Sequence, residues 1–352
     1  MPSEIKKPSL GKRLFQRYMI DALGHMALGL FATLIIGTIF QQLGKIPGLS
    51  KLADFAAVAM NGNVVGAAIG VSIACGMKVK PLAMFASAVT GALGYAGGGG
   101  PLGSFIAAVI GAEAGNFLAG KTRVDIILVP AAAILAGGLT ALLVVPGVAW
   151  LMDALRGFID TATRLQPVWM GIVVSVVVGL ALTAPISSAA LCAMIFICPD
   201  GEILSEGLQL AAGAATVGCS CQMVGFAVTS FKENRWGGLI AQGLGTSMLQ
   251  VPNIMKHPAI LIPPTLASAI LGPFATTLFD MRNYGTAAGM GTSGLVGQIG
   301  TWSMMAETYG AGSTLLRMLI LHIALPAMLS FAICFTLRRM GWIKDGDMRL
   351  EL

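Results

Sequence analysis

Two short stretches carry the same polar triplet. They are Gly245-Thr246-Ser247 in "QGLGTSMLQVPNIMKHP" (242–258) and Gly291-Thr292-Ser293 in "AAGMGTSGLVGQIGTW" (287–302). Each triplet is followed by a glutamine, Gln250 or Gln298, and the first also by Asn253. Hydroxyls and carboxamides donate and accept hydrogen bonds without carrying charge. Such a set suits an uncharged, hydroxyl-rich ligand. Glycine permits backbone angles that a regular helix does not use, and a helix starting just after such a loop points free N–H groups at whatever lies there. The same small residues also let two helices approach closely. Both readings stand at this level.

Three further polar groups interrupt otherwise apolar surroundings. Asn63, with Asn61, lies in "AMNGNVVGAAIG", Glu113 and Asn116 lie in "GAEAGNFLAGKTR", and Gln222 lies in "CQMVGF". If the second stretch is helical, Glu113 sits about 12 Å deeper than Lys121. A carboxylate at that depth is costly and points to function by default. It can bind a hydroxyl or carry a proton, or it can pair with Lys121 or Arg123 at the membrane edge. Asp125 is placed to pair with Lys121 at i, i+4. His25 and His322 each stand alone on an apolar stretch and read as structural. The cysteines (75, 192, 198, 219, 221 and 334) all fall in apolar runs, and "GCSC" (218–221) reads as close helix packing before it reads as a metal or redox pair. There is no His/Cys/Asp/Glu cluster at metal spacing, no phosphate loop and no nucleophile elbow. No metal or cofactor is expected, nor hydrolytic or nucleotide chemistry.

The elements that must hold these groups follow from composition. Of 352 residues, 56% are hydrophobic and 11% charged, whereas a soluble domain carries about a quarter charged residues. Uncharged runs recur along the whole chain, among them 55–77, 81–112, 126–152, 165–199, 207–231 and 283–306. A span needs about 20 mostly apolar residues. The fold class is an all-α polytopic membrane protein with about ten transmembrane helices plus one or two re-entrant hairpins. It forms one membrane-embedded domain over residues 1–352. The net charge of +6 sits at the membrane edges and gives orientation, not nucleic-acid binding.

With basic loops inside, residues 1–20 and the tail from 338 to 352 are cytoplasmic, and the first apolar run is a retained helix. "GYAGGGGPLG" (94–103) breaks the 81–112 run into two helices. "DALRGFIDTATR" (153–164) reads as a charge-balanced connection. Pro185 in "TAPISSAA" favours a break within 165–199, followed by the acidic "DGEILSE". "KENR" (232–235) is an inside loop.

The long stretch "GLGTSMLQVPNIMKHPAILIPPTLASAILGPFATTLFDM" (243–281), then "AAGMGTSGLVGQIGT", resembles the membrane IIC subunit family of bacterial sugar phosphotransferase systems. "GKTRVDIILVP" (120–130) and "TAPISSAALC" (183–192) resemble its stand-alone branch, which includes perfringolysin regulator-like proteins. The resemblance implies a homodimer in the bacterial inner membrane and a sugar held by part of each protomer. It implies a permease, not an enzyme. In the family, entry is coupled to phosphorylation by a soluble IIB domain. This sequence carries no IIA or IIB domain, and the Gly-Ile-Thr-Glu motif of the glucose-type members is absent. A separate soluble IIB partner and transport without phosphorylation both stay open.

The reading is a permease that moves a small polar solute, a sugar or sugar derivative, through a central polar site by alternating access. Its substrate residues are Asn63, Glu113, Asn116, Gln222, Thr246, Ser247, Gln250, Asn253, Thr292, Ser293 and Gln298, and Trp302 is placed to stack on a sugar face. The alternatives are a membrane sensor or regulator derived from a transporter, and a proton-coupled transporter of a non-sugar solute.

Overall fold

The computed structural model describes residues 10–184, 187–197 and 204–350, and among these there is no strand. In chain order the main helices are α1 (Gly11–Leu43), α2 (Lys51–Ala59), α3 (Gly62–Gly76), α4 (Pro81–Gly94), α5 (Gly100–Leu118), α6 (Asp125–Leu143) and α7 (Val145–Leu165). They continue as α8 (Pro167–Thr183), α9 (Ser188–Phe196), α10 (Glu206–Thr229), α11 (Phe231–Ile240), α12 (Ile262–Thr277), α13 (Val296–Tyr309) and α14 (Ala311–Arg339). Among the described residues, six helices are long and apolar enough to cross a membrane, or seven if one bent pair counts as a single span. Length alone merges α4 and α5 and passes over the shorter apolar α8; counting these separately together with the bent pair gives nine among the described residues, against the expected ten.

The chain divides into two compact units, one running to Thr33 and including Asn61–Val148, the other formed by Leu34–Met60 and Ala149–Leu352. In the first, the break expected at 94–103 is present. Gly98 and Gly100 take φ of +84° and +52°, which glycine alone adopts cheaply. The chain reverses there. A Cβ on Gly111 would lie 2.8 Å from the Thr90 side chain, and one on Gly115 would lie 3.0 Å from that of Ala83. As the number rises on one helix it falls on the other, so α4 and α5 form an antiparallel hairpin. The helices α3, α4 and α5 lie close enough for Ser104 Oγ to donate to Gly66 O (3.2 Å) and Gly91 O (2.8 Å). Small residues are what let membrane helices approach this far.

In the second unit, α10 is the central element. Its apolar stretch is 94% buried, so it is packed on all sides, its few polar residues included. Its small residues admit neighbours on several sides. A Cβ on Gly218 would strike the Ser175 backbone of α8, and one on Gly225 would lie 2.7 Å from Ser330 Oγ of α14. Phe196, Leu208, Leu271, Met281, Met305 and Leu321 fill the core around it.

Three local readings change. "DALRGFIDTATR" is not a connection but the second half of α7, because Met152, Arg156, Asp160 and Thr163 recur at helical spacing and are all buried. Arg156 donates to the carbonyls of Met194, Ile195 and Ile197 at the end of α9, while Asp160 accepts from Ser205 Oγ and Gly207 N at the start of α10. "KENR" is helical, within α11, with a sharp break at Arg235. The 165–199 run is interrupted between Thr183 and Ser188. Pro185, Cys198 and the first part of "DGEILSE" lie outside the described residues.

Candidate functional site

The two Gly-Thr-Ser segments are both irregular, and they meet. After α11 the chain makes a π turn over Ala241–Gly245, is extended at Thr246 (φ −158°, ψ 142°), and resumes as a 3-10 turn over Ser247–Gln250. The second segment is a 3-10 turn over Gly285–Gly289 followed by left-handed Gly291, Gly294 and Leu295 before α13. Thr292 Oγ1 donates to Gly243 O (2.5 Å), and Ser293 Oγ donates to Gly245 O (2.8 Å). Each hydroxyl therefore satisfies a carbonyl that the other segment's irregular backbone leaves free, which is how non-helical chain survives inside a membrane protein.

Gly291 presses the second segment onto α10. Its φ is +53°, and a Cβ there would sit 2.7 Å from the Cys219 carbonyl carbon. Asn283, fully buried, ties the same segment to α10 by donating to Thr216 Oγ1 (2.7 Å) and to Gly297 O (3.1 Å). The "GCSC" stretch thus works through its small backbone. Cys219 and Cys221 are buried, and no group of three metal-ligating side chains occurs among the described residues.

Gln222 is the hub of the polar groups. Its Oε1 accepts from Thr183 Oγ1 (3.2 Å), and its Nε2 donates to Thr265 Oγ1 (3.1 Å). Thr183 in turn shares a hydrogen bond with Ser247 Oγ (2.9 Å). A carboxamide offers two donors and two lone pairs. Gln222 therefore retains one of each beyond these bonds. Thr246 Oγ1 accepts from Met248 N (3.1 Å), so its hydroxyl proton is also unspent on that bond. Gly245, Met248, Gly294 and Leu295 of the paired segments are exposed, whereas Gln222, Ser247, Thr183 and Thr292 are buried beneath them. The members are hydroxyls, amides and backbone, none of them charged.

The structure brings together Gln222, Thr246, Ser247, Thr292 and Ser293 from the sequence-predicted set, and it adds Thr183 and Thr265, while Asn283 anchors the second segment to α10. These three were legible only as polar residues inside apolar runs. Gln250 and Asn253 turn elsewhere. Gln250 donates to Gln242 Oε1 (2.9 Å) and Met348 O (3.0 Å), and Asn253 donates to Gln250 Oε1 and Arg349 O (both 2.9 Å). They fasten the C-terminal residues. Gln298 meets His322 Nδ1 (3.2 Å) on α14. Trp302 is half-buried on α13.

Asn63, Glu113 and Asn116 belong to the first unit. Asn63 is exposed at the start of α3. Asn116 Oδ1 accepts from Lys80 N (3.1 Å), next to the first turn of α4. Glu113 does not pair with Lys121 or Arg123. Its Oε1 accepts from Arg17 Nε (2.7 Å) and Tyr18 OH (2.9 Å) on α1. Lys121 instead lies over the Phe117 ring, and Asp125 accepts from Gly120 and Thr122.

A family model described as "Phosphotransferase system, EIIC" matches residues 20–350. No curated protein matches the chain.

Proposed function

We propose, since this chain belongs to the phosphotransferase system EIIC family, that its paired Gly-Thr-Ser segments hold the transported solute beside Gln222. The chain is a membrane component of a transport system. The solute we assign is small, neutral and hydroxyl-rich, a sugar or polyol, passed by alternating access. The observation that carries this is the residual capacity of Gln222, one N–H and one lone pair, next to two interrupted segments that bond to each other. Transporters place central sites at interrupted helices of this kind. An anion would call for a cation at the site, and Gln222, Thr183, Ser247, Thr246 and Thr292 supply none.

The remaining parts of the reading rest on the family. The protein works as one embedded domain, as a homodimer, in the bacterial inner membrane with both termini cytoplasmic. It moves solute and performs no bond chemistry itself, and any phosphoryl transfer belongs to a separate IIB-type partner. Glu113 serves as a fixed partner for Arg17 and Tyr18 in this reading, not as a proton carrier.

The test is thermal melting of the detergent-solubilised protein against sugars, polyols and sugar acids. A ligand at 100 times its Kd adds about 2.7 kcal/mol to stability. Gln222→Leu and Thr246→Val should each abolish the shift, and Asn253→Ala, which loosens only the tail, should keep it. If no compound stabilises the folded protein, the sugar-site reading fails and a sensor or a non-sugar transporter takes its place.

A further inference from the structure

We propose that the junction of α10, α11 and α14 is a binding site for the headgroup of an anionic phospholipid. A cavity of about 560 Å³ opens there, lined by Lys232, Arg235, Arg338, Arg339 and the rings of Phe331 and Phe335. The two carboxylates here, Asp345 in the cavity lining and Glu233 beside it, are each already paired with a cation. Glu233 pairs with Arg338 (2.7 Å), and Asp345 pairs with Arg338 (2.7 Å) and Lys232. The Lys232 hydrogen bond, first among its neighbours, holds the Asp345 carboxyl below the usual carboxylate range. Four cations therefore face two carboxylates, and the surplus lies on Arg235 and Arg339.

The apolar half of the site has lipid character. Met328, Phe331 and Phe335 recur along one face of α14 and are 65%, 55% and 47% exposed. The two phenylalanine rings stack at 6.4 Å. The guanidinium of Arg339 lies over the Phe335 ring at 4.4 Å, which places its charge at the end of that apolar strip. Trp236, 68% exposed, packs edge-on against Phe231. Aromatic rings and basic groups together mark the level of the headgroups, and basic clefts between helices recognise anionic lipids. A fork of guanidinium donors matches phosphate geometry.

An independent observation concerns Arg235. It adopts φ +51° and ψ −150° at the break in α11, a region that side chains other than glycine avoid. Strain of this kind persists where the surroundings or a function demand it. A glycine would serve the backbone better, yet the position holds the cavity's least engaged cation.

The experiment is native mass spectrometry of the full chain titrated with phosphatidylglycerol, phosphatidylcholine and inorganic phosphate, with melting curves in parallel. Phosphatidylglycerol should bind at least tenfold more tightly than phosphatidylcholine, and inorganic phosphate should not displace it. Arg235→Gly removes the whole side chain with its charge and suits the backbone. It should weaken phosphatidylglycerol at least fivefold while the melting temperature holds or rises. Arg339→Gln should weaken it in the same sense. Lys45→Gln, at an exposed pair with Glu307 far along the chain, should leave it unchanged. Equal binding of the two lipids, displacement by inorganic phosphate, unchanged binding in both arginine variants, or an equal loss in Lys45→Gln would each overturn the proposal. None of these outcomes bears on sugar binding.

Discussion

Gly291→Ala is expected to destabilise the protein by about 2–5 kcal/mol, the sum of a left-handed backbone penalty of about 1–2 kcal/mol and an overpacking cost of about 1–3 kcal/mol. The φ of +53° makes any side chain strained, and the added Cβ would lie 2.7 Å from Cys219 C and 2.8 Å from Ser220 N, backbone atoms of the central helix that cannot swing aside. The segment must back off α10, which draws Thr292 and Ser293 away from the carbonyls of Gly243 and Gly245. Melting in detergent should fall by on the order of 10 °C, and the solute response should go with it. Gly294→Ala is the matched control. Its φ is +52°, but the new Cβ would meet only Val296 Cγ2 at 3.8 Å. It should show the strain alone, about 1–2 kcal/mol. Equal melting of the two variants would mean that contact with α10 is not what requires glycine at 291.

Arg156→Ala should cost about 3–5 kcal/mol, in the range seen when one partner of a buried charged network is removed. Arg156 is 6% exposed, and its guanidinium donates to Met194 O (3.0 Å), Ile195 O (3.1 Å) and Ile197 O (2.9 Å). The last carbonyls of a helix have no partner of their own and favour a cation. Removing Arg156 strips the end of α9 of its donors. Arg156→Lys keeps the charge but not the fork, so it should recover part of the loss. Melting curves give the size of the effect. Hydrogen exchange should localise it, with the amides of Ser188–Phe196 exchanging faster in Arg156→Ala than elsewhere in the chain. Uniform protection across the chain would show that the end of α9 does not depend on this side chain.

Much was readable from residue order alone, because burial in a bilayer leaves a local mark. Runs of about 20 apolar residues report helices whatever their partners are, so the all-helical class, the glycine break at 94–103 and the irregularity of both Gly-Thr-Ser segments were all visible in the sequence. The family was visible too, since the motifs that carry it are contiguous. The partners of the polar groups were not. Thr292 and Ser293 spend their hydroxyls on carbonyls 49 and 48 residues away, Glu113 takes Arg17 from 96 residues away, and Gln250 takes a tail carbonyl 98 residues away. In "DALRGFIDTATR" a balanced charge count concealed a buried face, because Arg156 and Asp160 find their partners on α9 and next to α10. A hydrogen-bonding group of a given type can be satisfied equally well by solute, neighbour or distant backbone. Only the packing that brings one of these within about 3 Å decides which.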